Sequence, residues 1–65
     1  MKVAEVKARV ERVRSLAQDF EAAHSEEDKL YADVLSAIAR GAKNGQELAA
    51  AALQTEYIEF VRVCA

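Results

Sequence analysis

Val3, Val6, Val10 and Val13, followed by Ala17 and Phe20, recur at alternating steps of three and four residues. That spacing draws an apolar stripe down one side of a helix, with Val3, Val10, Ala17 and His24 in one row and Val6, Val13 and Phe20 in the next. It predicts a long amphipathic first helix over residues 2–23. A second apolar set, Leu30, Tyr31, Val34, Leu35 and Ile38, predicts a helix over 26–40. Ser25 is the expected N-cap, with Glu26, Glu27 and Asp28 in the first turn, where acids are favoured. Neither His24 nor Ser25 forces a break, so one continuous helix through residue 40 is the rival reading.

Gly41-Ala42-Lys43-Asn44-Gly45 reads as a turn, with Gly41 closing the second helix and Asn44 and Glu47 in the form of a capping box. A third helix is expected over 45–54, containing Leu48, Leu53 and four consecutive alanines, Ala49 to Ala52. An alanine surface lets another backbone approach closely, but alanine is also simply the best helix former. Residues 55–65 read either as a short helix, with Thr55 as cap and Tyr57, Phe60, Val61 and Cys64 on one face, or as an extended tail with Tyr57, Val61 and Val63 on one side. The helix, packed on helices two and three, is the preferred reading; a lone strand would leave a costly unpaired edge.

Composition supports an all-α class. Proline is absent from the 65 residues and glycine occurs twice. A chain of this size buries only about 60% of its unfolded surface and needs additional stabilisation. One cysteine, Cys64, excludes an internal disulfide, and one histidine, His24, excludes a zinc-type cluster. The expectation is therefore a single helical bundle completed by homo-oligomerisation. No apolar run approaches the about 20 residues that span a bilayer. Met1 and Lys2 lead into no unbroken apolar stretch, and Glu5 and Glu11 argue against a presequence. A cytoplasmic location is expected.

Charge adds orientation. Residues 2–14 carry Lys2, Lys7, Arg9, Arg12 and Arg14 against Glu5 and Glu11, whereas residues 15–28 carry five acids and no Lys or Arg. A single helix over both segments would oppose the helix macrodipole. Antiparallel pairing of two such helices sets the basic half against the acidic half, with Lys7 near Glu21 of the partner subunit. Self-association is accordingly assigned to Val3, Val6, Val10, Val13, Ala17 and Phe20, and contact with a partner or a phosphate to Lys7, Arg9, Arg12 and Arg14.

Candidate chemistry is sparse. His24 has Glu21, Glu27 and Asp28 at helical spacing, which suits a solvated or pH-sensitive junction better than a metal site. Cys64 lacks a nearby base and reads as a buried apolar residue. No nucleophile triad, phosphate-binding glycine loop or metal motif is present, so neither an enzyme nor a cofactor is expected. Residues 38–52 have the outline of a helix–turn–helix, but the would-be recognition helix offers Gln46, Glu47 and Gln54 and no base. Nucleic-acid binding is thus the alternative to a protein partner, through the basic start of helix one.

The run from Glu27 to Gly41 (EDKLYADVLSAIARG) and the ending from Ala52 to Ala65 (ALQTEYIEFVRVCA) resemble small helical proteins of actinobacterial phages and their hosts. Those proteins are mostly of unassigned function. The resemblance covers the C-terminal forty residues and implies a context, a bacterial or phage-infected cytoplasm, but no functional residues. Together these readings predict a small accessory or regulatory protein that acts as an antiparallel homodimer and binds another protein.

Overall fold

A computed structural model describes residues 1–62, and within them the chain forms three α-helices and one 3₁₀ helix with no strand. Helix α1 covers Val3–Ser15, α2 Phe20–Ala39 and α3 Gly45–Ala52, and the 3₁₀ helix covers Leu53–Tyr57. Val63 and Cys64, placed above in the tail, lie outside the described residues.

The first two helices do not break where the sequence reading placed the break. Helix α1 ends at Ser15 rather than residue 23, and α2 runs unbroken through His24 and Ser25. A tight turn at residues 16–19 separates them, closed by hydrogen bonds from Leu16 N to Val13 O (3.0 Å) and from Asp19 N to Leu16 O (2.8 Å). Asp19 is the N-cap of α2, its carboxylate accepting from Ala22 N at 3.2 Å. The charge pattern is now consistent with the macrodipole. Arg12 and Arg14 occupy the last turn of α1 and Glu21 the first turn of α2, each at the favourable end.

The turn after α2 is as expected at Gly41. Its φ of +91° is a conformation that other residues adopt only with strain. Gly41 N donates to Ile38 O (2.9 Å) and Ala42 N to Ala37 O (3.1 Å), the paired bonds of a Schellman motif. Asn44 departs from expectation. Its side chain does not cap α3 but donates to the Met1 carbonyl at 3.1 Å, tying this turn to the start of α1.

Each helix packs against the other two. Ion pairs Arg9–Asp33 and Arg12–Glu26 match earlier residues of α1 with later ones of α2, so these helices run antiparallel. Ile38 faces Gly45 while Tyr31 reaches Thr55, so α2 and α3 are antiparallel as well. The 20 residues of α2 extend about 30 Å and set the 34 Å length of the molecule. The shared core contains Val6, Val10, Val13, Ala23, Leu30, Val34, Leu48, Ala52 and Ile58. Within the alanine run, Ala51 and Ala52 are buried between neighbouring helices and Ala50 is exposed.

The segment after the 3₁₀ helix takes the extended reading rather than the preferred helical one, and among the described residues it pairs with no strand. Residues 58–62 run without regular secondary structure, with Ile58 buried, Phe60 and Arg62 half-buried, and Glu59 and Val61 exposed. The inward set alternates with the outward one, as in any extended backbone. Thr55, expected as a helix cap, is instead fully buried in the 3₁₀ helix.

Candidate functional site

Within one chain, the valine stripe is already covered. Val6 and Val13 have no exposed surface and Val10 very little, and Val3, Leu16 and Ala17 pack against the same core. Phe20 ends the stripe partly exposed. The face assigned to a second copy therefore meets α2 and α3. Packing within one chain removes the same apolar area from water without the entropic cost of association.

Three of the four basic residues singled out in α1 are engaged inside the chain. Arg9 Nη1 lies 2.7 Å from Asp33 Oδ2, Arg12 Nε 3.7 Å from Glu26 Oε2, and Arg14 Nε 3.2 Å from Glu11 Oε2. Lys7 is exposed beside Val10, Glu11, Arg14, Ala51 and Gln54. Arg9 and Arg12 tie α1 to α2, Arg14 pairs within α1, and with their acidic neighbours they present mixed rather than single-sign charge. His24 Nε2 sits 3.5 Å from Asp28 Oδ1 on the outer side of α2. Among the described residues no three His, Cys, Asp or Glu side chains converge to hold a metal. Among the described residues no helix is long and apolar enough to cross a membrane.

The sequence reading missed two features that only packing creates. The first is an open apolar groove of about 260 Å³ between α2 and α3, lined by Tyr31, Val34, Leu35 and Ile38 on one side and Ala49, Ala52 and Leu53 on the other. The alanines form a shallow floor, and Leu35 (66% exposed) and Leu53 (50% exposed) stand on its rims. The close approach of the helices follows from Gly45, where an added Cβ would lie 3.1 Å from Ile38 Cγ1. An open groove of this size suits apolar side chains from a helix rather than an enclosed small molecule.

The second feature is a buried polar cluster. Glu27 is 5% exposed and accepts a bidentate pair from Arg62, Nε to Oε1 at 3.2 Å and Nη2 to Oε2 at 3.1 Å. Arg62 Nη2 also donates to the Thr55 carbonyl at 2.8 Å, and its guanidinium lies 3.9 Å from the centroid of the Phe60 ring. Tyr31 and Thr55 share a hydroxyl–hydroxyl hydrogen bond. Burial pushes the Glu27 carboxyl up, but hydrogen bonding by Arg62 and Thr55 and the nearby positive charge outweigh it and hold the group below its ordinary value. Glu27 in turn raises Arg62 above its ordinary value. Every buried side-chain nitrogen and oxygen among the described residues has a partner.

Comparison with protein-family models, curated proteins and solved structures gives no match.

Proposed function

We propose that this chain is a small, non-catalytic protein–protein interaction module that acts as a homodimer, with the groove between α2 and α3 as its seam in place of the valine stripe. The observation that carries this reading is the pair of exposed leucines, Leu35 and Leu53, flanking one apolar groove. Contiguous exposed apolar surface of this kind marks an interaction site. A two-fold pair would set each Leu35 over the alanine floor of the other copy. Antiparallel α2 helices would also bring Glu21 and Asp28 of one copy towards Lys43 of the other. A standard interface of about 800 Å² per partner takes roughly a sixth of the 4545 Å² surface.

The resemblance in residues 27–41 and 52–65 supports an accessory or regulatory role in a bacterial or phage-infected cytoplasm, with a further protein as the downstream partner. The nucleic-acid reading is weaker, because Arg9, Arg12 and Arg14 are spent on intrachain ion pairs. Sedimentation equilibrium from low micromolar to near-millimolar chain tests the proposal. A reversible dimer is expected, and Leu35→Glu with Leu53→Glu should shift it to monomer with an unchanged helical circular dichroism spectrum. A wild-type chain that stays monomeric across that range overturns it.

A further inference from the structure

Tyr31 belongs to two places at once. Its ring lines the groove between α2 and α3, while its hydroxyl bonds Thr55 in the buried polar cluster. Because α2 and α3 run antiparallel, with Ile38 at Gly45, Tyr31 closes the groove at the end where the 3₁₀ helix begins. Glu27, Thr55 and Arg62 do not line the groove. Given that the groove is the dimer seam, we propose that Glu27 and Arg62 are its positioning residues: acting through Thr55, they hold the Tyr31 ring as the end wall and thereby set how tightly a second copy docks.

The links run residue by residue. An ionised carboxylate only accepts hydrogen bonds, so the bond between Thr55 and Glu27 uses the single hydroxyl proton of Thr55, and Tyr31 is the donor to Thr55. Arg62 fixes the other end of this chain of bonds. It makes the bidentate pair with Glu27 and donates to the Thr55 carbonyl, the same oxygen that accepts Ile58 N at 3.0 Å. These anchors matter because the 3₁₀ helix is only five residues long and its own hydrogen bonds have poorer geometry than those of an α-helix. A buried carboxylate lacking its charged partner is strongly unfavourable, so without Arg62 water must reach Glu27. Letting water in displaces Thr55 and frees the Tyr31 ring to rotate about its side-chain torsions. A mobile end wall has to be ordered when a second copy docks, which weakens binding without altering any residue of the seam.

The chain has two tyrosines, and Tyr57, 77% exposed, is a built-in reference for Tyr31. In full-length protein labelled with 3-fluorotyrosine, Arg62→Ala should move the Tyr31 fluorine resonance towards that of Tyr57. Sedimentation equilibrium should show its dimer dissociation constant raised at least tenfold. Arg62→Lys keeps a positive charge for Glu27 and protects the fold, but it cannot reproduce the bidentate pair. It should show the same two changes, with the constant raised at least threefold. Asp19→Ala weakens the N-cap of α2, away from the groove and the cluster, and should move neither readout. An unmoved resonance or an unmoved constant in both Arg62 variants overturns the proposal. So does an equal rise in the Asp19→Ala constant, since loss of stability alone then explains the effect. A wild-type chain that stays monomeric instead overturns the seam, and the Tyr31 resonance read in that monomer still decides whether the ion pair positions the ring.

Discussion

Glu27 shows what one residue can decide in a chain this small. In sequence it is the middle of an acidic run that reads as the first turn of a helix; in the fold it lies a full two turns inside α2, on the core face, beneath residues 58–62. Its charge is tolerated because Arg62 and Thr55 satisfy it, with His24 adding a weaker favourable field. A carboxyl whose folded value is depressed stabilises the protein fully above its unfolded value, and that stability is lost as pH falls through the folded one. Stability should therefore decline as pH drops below about 4.3, the ordinary glutamate range. Glu27→Gln should be less stable than wild type at neutral pH and flatter on the acid side. Thermal melts followed by circular dichroism between neutral and acid pH will check this; parallel acid limbs for the two proteins would contradict it.

Among the elements, the misplaced break between α1 and α2 is the most instructive. Ser25 and Asp19 are both good N-cap residues, and no glycine or proline lies between them to choose. The structure chooses Asp19, because folding back after Ser15 buries the valines of α1 against α2 within one chain. One signal was legible. A positive half followed by a negative half opposes the dipole of one helix but suits the end of one and the start of the next. The cap assignment is testable by substitution. Asp19→Ala should cost about 0.5–2 kcal/mol, whereas Ser25→Ala, at an exposed position inside α2, should stay within about 0.5 kcal/mol. Urea denaturation of both variants gives the comparison, and equal losses would return the cap to Ser25. Gly41 needed no such arbitration, since its turn chemistry is local.

For the whole molecule, stability is scarce. At about 0.05–0.15 kcal/mol per residue, 65 residues hold roughly 3–10 kcal/mol, so the two apolar surfaces of the chain have separable roles. Val13→Asp places a charge at a fully buried site and should unfold the chain, seen as loss of the helical spectrum at every concentration. Leu35→Glu lies on the exposed groove rim and should leave the fold within about 0.5 kcal/mol of wild type. The same change should weaken self-association more than tenfold, a cost of about 1.4 kcal/mol. A folded Val13→Asp chain, or Leu35→Glu that unfolds, would show that core and groove have been assigned the wrong way round.

The sequence by itself determined the all-helical class, the apolar faces of the helices, the turn at Gly41 and the absence of familiar catalytic motifs. These follow from periodicity, composition and local turn chemistry, which act over a few residues. Tertiary structure alone decided which apolar face is spent inside the chain and which is left over. Val6, Val10 and Val13 are more regular in sequence than Leu35 and Leu53, yet the valines went inward and the leucines stayed out. It also decided that Arg62 reaches Glu27 across 35 positions. No local pattern encodes such a pairing, because it depends on where the chain turns back and on which buried charge is then left needing a partner.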